Sequence, residues 1–294
     1  LSKIALGEPD RTWEKYGLLV SPVSWNQGET KLKVIEKHGA LVEIVKSRYK
    51  LIPNELVVEE ANKASALAGL VPFDQFSGDW IQRFNKDETH VIKDKWKVHA
   101  LYADEVPYTV KTKYGTEDEM YMGVAVHNSI DRSMGFSAGI FTFRKACRNV
   151  VLSAGMKGWS YDYSRGDHGK TLETLYQKHT KGMEILSQQL METLITLMER
   201  SQIIKDTYND MAQRNINLKI MENIRKSPIP QKLYPSYIPI PKVDITRVPD
   251  KTQWEMYNDF TEAIWHNPKA TMNSKLIQFK HLHKVLPFED APNV

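Results

Sequence analysis

The stretch from Lys95 to Phe143 constrains this chain more than any other, because β-rich runs succeed one another there with only ADEVP, YGTEDE and NSIDRS between them. Those separators carry the Pro, Gly, Asn, Asp and Ser that set turn geometry. Met122–His127 leads through Asn128, Ser129 and Asp131 to a return strand over Met134–Phe143, so an antiparallel β-meander is the economical topology. A meander packed on helices is α+β.

Around it the chain divides into four parts. Residues 1–38 mix Trp13, Tyr16, Trp25, Pro9 and Pro22 without a period and read as a loop-rich arm with one or two strands. The core spans 39–227. GALVEIVKSRYKLI is β-rich, Pro53-Asn54 opens a helix that stops near Gly69, and Asp87–Ile92 is a strand that pairs with the next β-rich run. RKACRNVVLSAG suits a strand or a short helix, and the helix is favoured because it gathers Arg144, Lys145 and Arg148. GMKGWSYDYSRGDHGK has the composition of an exposed contact loop. From Lys170, Leu172, Leu175, His179, Met183, Leu186, Leu190, Leu194 and Leu197 recur at helical steps. They predict one rod of about 45 Å, with a leftover apolar stripe as a candidate subunit interface. A second helical stretch covers about 203–226, with Tyr208, Met211, Leu218, Met221 and Ile224 on one face. Residues 228–249 hold six of the fourteen prolines and form an extended strap whose tyrosines and isoleucines suggest docking on a surface. Residues 250–294 read as a helical hairpin about Pro268.

Several chemistries are excluded by what the sequence lacks. With one cysteine, Cys147, neither an intrachain disulfide nor a thiolate metal cage can form. The apolar runs are too short to span a bilayer and the opening residues lack a signal core, so an intracellular protein without a membrane partner is expected. No phosphate-cradling, dinucleotide, serine-elbow, zincin or calcium-loop signature occurs. His281 and His283 with Glu289 and Asp290 fit a polar helix end better than a metal site, because a two-residue spacing splits the histidines between helix faces. His179, on the apolar stripe, reads as a core histidine. Neither cofactor nor metal is expected.

Charge is distributed unevenly. Residues 1–130 carry 17 Lys and Arg against 19 Asp and Glu, whereas 131–170 carry seven against three. That basic window also holds Phe136, Phe141, Phe143, Trp159, Tyr161 and Tyr163. Cations interleaved with rings suit single-stranded nucleic acid, whose phosphates attract charge and whose bases stack on flat surfaces. The candidate contacts are Arg132, Arg144, Lys145, Arg148, Lys157 and Arg165 for phosphate and Trp159, Tyr161 and Tyr163 for bases. A core of aromatics with solvated charges would give the same composition, and both readings stand at this point. Asp162, Asp167 and His168 in the same loop offer a third, a metal-dependent nuclease.

Three segments resemble a known family: SRYKLIPNELVVEEANKAS (47–65), GVAVHNSIDRSMGFSAGIFTFRKACRNVVLS (123–153) and KHTKGMEILSQQL (178–190). Their Arg48, Tyr49, Asn54, Asn128, Ser129, Arg144, Cys147, Asn149, His179 and Thr180 are similar in order and spacing to the phage- and plasmid-like family known only as a numbered domain of unknown function. The chain departs from that family's habit at Asp131-Arg132, where a glycine-containing turn is usual. The resemblance implies residence on mobile elements, hence in a virus-infected or plasmid-bearing cell. It also implies a fold-level likeness to single-strand annealing recombination proteins, which assemble on DNA as rings or helices. The expectation is therefore a non-enzymatic, homo-oligomeric protein that binds single-stranded nucleic acid, expected to be DNA, and anneals strands. The alternatives are a structural or interaction protein of the mobile element, and the nuclease.

Overall fold

The structure, a computed structural model, describes residues 4–25, 28–73, 90–146, 149–152, 160–162, 171–173, 175–177, 183–199 and 201–286. The arm expected to be loop-rich with one or two strands carries three. β1 (Ile4–Leu6), β2 (Leu18–Trp25), β3 (Gly28–Lys37) and β4 (Ala40–Lys46) form an antiparallel sheet in that order. In β3, charged Lys31, Lys33 and Lys37 alternate with Leu32 and Val34, so the strand reads as polar by composition although its period is two. The β3–β4 turn is His38-Gly39, both at positive φ (51° and 78°), which matches the twist of a two-residue hairpin. Leu18, Val20, Ile35 and Val45 cover one face and close a small core with Leu51 and Ile130.

The helix predicted after Pro53 is α1 (Asn54–Leu67), and it ends as expected at Gly69, whose φ is +73°. Next comes the meander: β5 (Val71–Pro72), β6 (Val91–Asp94), β7 (Lys97–Ala103), β8 (Tyr108–Lys111), β9 (Glu117–Ser129), β10 (Phe136–Arg144) and β11 (Asn149–Leu152). Its spine runs β11-β10-β9-β7-β5, with β6 on β7 and β8 on β9, every pair antiparallel. Residues 122–129 and 136–143 are buried without a break, the mark of strands covered on both faces. Gly123 permits the closest approach: a Cβ there would lie 2.0 Å from the Tyr102 carbonyl oxygen.

Three local expectations are corrected. Residues 149–152 form a strand against β10 rather than a helix, with β-branched Val150 and Val151 extending the sheet. In the presumed contact loop, β12 (Ser160–Asp162) pairs with β13 (Thr171–Glu173). The rod predicted from Lys170 begins later, because Leu172 lies in β13 and Leu175 in β14 (Leu175–Gln177), which pairs with β10; leucines three apart fit either geometry. The helix itself is α2 (Met183–Glu199), with Leu190 and Leu194 fully buried. His179 lies outside the described residues.

The second helical stretch is also two pieces, α3 (Ser201–Gln213) and α4 (Leu218–Lys226). Between them Asn215 bridges to Thr252, and the Asn217 side chain accepts the Ile220 amide at 2.9 Å to start α4. Tyr208, Met211, Met221 and Ile224 are buried as expected, whereas Leu218 is exposed. The strap docks: Ile229, Leu233 and Ile238 are buried, and Tyr234 donates to the Ile224 carbonyl at 3.1 Å. The hairpin is α5 (Gln253–Trp265), opened by a Thr252/Glu255 capping box, and α6 (Met272–Leu282).

One face of the larger sheet is roofed by helices. Tyr102 donates to Asn62 of α1 at 2.6 Å, Thr142 and Tyr208 of α3 share a 3.2 Å hydrogen bond, and Trp254 of α5 donates to Asp118 at 2.7 Å. The chain is α+β, with antiparallel sheets and packed helices. Among the described residues no helix is long and apolar enough to cross a membrane.

Candidate nucleic-acid interface

Of the residues expected to contact a polyanion, Arg132, Arg144 and Lys145 are described with their side chains. Arg144 Nη2 donates to Asp118 at 2.6 Å, and the pair is mostly buried. Lys145 meets Glu119 at 2.5 Å, and that hydrogen bond raises its pKa. Both basic groups therefore spend their charge on carboxylates at the start of β9. Arg132 lies at the opposite end of β10, a nine-residue strand about 30 Å long. Tyr161 sits in β12 opposite Leu172. Arg148, Lys157, Trp159, Tyr163 and Arg165 lie outside the described residues, as do Cys147, Asp167, His168, Glu289 and Asp290. Among the described residues no three His, Cys, Asp or Glu side chains gather as a metal site.

Arg132 has company that no sequence window could reveal. Three connections meet at its end of the sheet: residues 47–50 between β4 and α1, the Lys95-Trp96 turn between β6 and β7, and residues 130–135 between β9 and β10. Buried asparagines lace them together. Asn54 Nδ2 donates to the Trp96 carbonyl at 3.1 Å, and Asn128 Nδ2 donates to Asn54 Oδ1 and to the Ile52 carbonyl, each at 2.9 Å. The Ile130 amide donates to the same Trp96 carbonyl at 3.0 Å.

Around this knot stand Arg48, Lys50, Lys95, Lys97 and Arg132, with the half-buried rings of Tyr49 and Trp96 packed on the small core. Lys95 Nζ lies over the Trp96 ring, 5.7 Å from its centroid. Burial pushes the Tyr49 phenol up; the charge of Arg132 works against that, and those of Asp131 and Glu43 work with it. None of these five cations forms a salt bridge among the described residues. Of the two carboxylates whose charge acts on Tyr49, Glu43 and Asp131, the ionised form of Asp131 is opposed by burial. It is nevertheless held below the usual range by hydrogen bonds from Ser133 and Ser129 and by the charge of Lys97. Its Oδ1 already takes the Ser133 amide at 3.0 Å and hydroxyl at 2.5 Å.

Backbone conformation makes the placement costlier than chance would require. Lys95 and Arg132 both have positive φ, 51° and 62°. Glycine fills such positions readily, and a side chain there costs on the order of 1–3 kcal/mol. Lys95 is the first residue of a two-residue hairpin turn, and Arg132 lies in the connection between β9 and β10.

A second polar feature lies deeper in the same sheet. His99, His127 and Ser137 stand side by side on β7, β9 and β10, each fully buried. The imidazole Nδ1 atoms are 2.5 Å apart, one donating to the other. Both Nε2 atoms and the Ser137 hydroxyl lack a hydrogen-bond partner among the described residues. Burial lowers the pKa of His99 to about 3 and that of His127 well below the usual value, so both rings are neutral. Full burial suits a structural, pH-responsive pair rather than a catalytic one.

No protein-family model, curated protein or solved structure matches the chain.

Proposed function

We propose that this protein binds single-stranded nucleic acid without acting on it chemically, and that the strand runs across the turn end of the larger sheet. The observation carrying the reading is the set of cations that form no salt bridge among the described residues, Arg48, Lys50, Lys95, Lys97 and Arg132, around Tyr49 and Trp96, two of them held in backbone conformations suited to glycine. Cations that track a backbone beside rings that accept bases are what single strands need. The binding surface is thereby moved from the window 131–170 to a composite site that keeps only Arg132 from it. Strand annealing on a mobile element, with DNA as the ligand, is the biological setting that the family resemblance adds to this proposal.

The test is anisotropy of a labelled single-stranded oligonucleotide longer than ~16 nucleotides, titrated across salt concentrations. If all five cations touch phosphate, log K falls against log salt with a slope of about −3.5. The triple change Arg48→Glu, Lys95→Glu, Arg132→Glu is expected to weaken binding at least tenfold and flatten the slope, whereas Lys145→Ala leaves both unchanged. An affinity indifferent to the triple change, or no binding at low salt, overturns the proposal.

A further inference from the structure

The four-stranded sheet has one covered face and one that is open except at Ser21 and Val34, which are buried. Leu18, Val20, Ile35 and Val45 point into the small core. On the opposite face Ile4, Leu6, Trp25, Leu32, Leu41 and Ile44 are 65, 51, 50, 40, 61 and 47% exposed. Strand register puts them together: Ile4 pairs with Trp25 across β1 and β2, and Leu6 is two residues along on the same side. Ile44 pairs with Val34, whose neighbour on that face of β3 is Leu32, and Leu41 pairs with Glu36. The apolar patch therefore crosses all four strands.

We propose that this open face is an interface at which two copies of the chain pack sheet against sheet about a two-fold axis. Taking roughly 150–200 Å² of surface for each large apolar side chain, the exposed fractions leave about 500 Å² of hydrophobic surface. That is near the upper end of the largest patch a monomer usually shows. A stable dimer buries about 800 Å² per partner, and homodimer interfaces are about 65% apolar, which calls for about 520 Å². The patch supplies that amount. A two-fold axis sets the same residues against each other, so the centre must carry no charge of a single sign, and these six side chains carry none. The charges on this face are of opposite sign, Glu36 opposite Leu41 and Lys46 opposite Leu32, so each copy offers both halves of a cross-interface ion pair. A polyanion finds no cation cluster at the centre, which leaves a second apolar sheet as the fitting partner at a spacing of about 10 Å.

The inference is independent of the nucleic-acid reading, since none of its six residues belongs to that site and the measurement omits nucleic acid. Sedimentation equilibrium of the wild-type chain across the micromolar range is expected to give twice 33.9 kDa. Leu41→Glu and, separately, Ile44→Glu are expected to give the monomer mass with unchanged circular dichroism. Val106→Glu, at a 71% exposed position in the β7–β8 turn, keeps the dimer. A wild-type chain that stays at 33.9 kDa overturns the proposal whatever the variants do, and so does a folded Leu41→Glu chain that still dimerises.

Discussion

Replacing Asp118 by alanine tests whether Arg144 serves the fold or a ligand. Asp118 retains 4% of its side-chain exposure and Arg144 20%. The carboxylate accepts from Arg144 at 2.6 Å with one oxygen and from the Trp254 indole at 2.7 Å with the other. Breaking a buried pair from one side costs about 3–5 kcal/mol, and the residual exposure of Arg144 argues for the low end, about 3. The orphaned indole N–H adds about 1 kcal/mol. Asp118→Ala is therefore expected to lose about 4 kcal/mol, a large share of an ordinary domain's stability of ~5–15 kcal/mol. Asp118→Asn keeps an acceptor for the indole and is expected to lose less, about 2–3 kcal/mol. Arg144→Met should cost about as much as the alanine change, whereas Asp118→Leu with Arg144→Met removes both charges together. The double change must then lose less than the two single losses added, by at least ~1.5 kcal/mol. Urea melts followed by far-ultraviolet circular dichroism supply each value. A loss below ~1 kcal/mol for Asp118→Ala, or strict additivity in the double variant, refutes the argument and frees Arg144 for phosphate.

Two further perturbations concern the same sheet. His99 and His127 have folded pKa values beneath the unfolded ~6.5, so the unfolded chain binds more protons as pH falls through that value. Stability is complete above pH ~6.5 and declines below it, by about 2 kcal/mol per histidine between pH 7 and pH 5. Urea midpoints at the two pH values should differ less in His127→Gln by one histidine's share, and an unaltered difference contradicts the assignment. Gly123→Ala drives a Cβ to 2.0 Å from the Tyr102 carbonyl oxygen and 2.6 Å from the Ala103 Cα, backbone that cannot rotate away. A loss of about 3 kcal/mol or more is expected in thermal melts, and a wild-type melting temperature contradicts the close approach.

The meander, α1, the docked strap and the terminal hairpin were legible because each depends on local signals: turn residues at 103–107 and 128–133, Pro53 ahead of a helix, prolines punctuating 228–249. Of the first sheet, β4 was legible in GALVEIVKSRYKLI, whereas β3 was hidden by its own chemistry, since it places Leu32 toward solvent and Lys33 and Lys37 on the core side, blurring the usual alternation. Leu172 and Leu175 misled because a three-residue step matches a helix face as well as two strands meeting at a break. The candidate interface was least visible. Its cations arrive one or two at a time from Arg48-Tyr49-Lys50, Lys95-Trp96-Lys97 and Arg132, and most come from a region of slightly negative balance. Only pairing through Asn54 and Asn128 collects them, and long-range pairing leaves no trace in a sliding window.

The indole of Trp254 reaches the carboxylate of Asp118 across 136 positions of sequence. At about 5–20 residues per second, a ribosome needs roughly 7–27 s to deliver that partner after the acid itself has been made. Through that interval the newborn sheet holds a carboxylate with one oxygen unpaired and an apolar surface still awaiting their lid. Slow translation or early termination before Trp254 should thus yield a sticky, chaperone-dependent nascent chain rather than a smaller folded one.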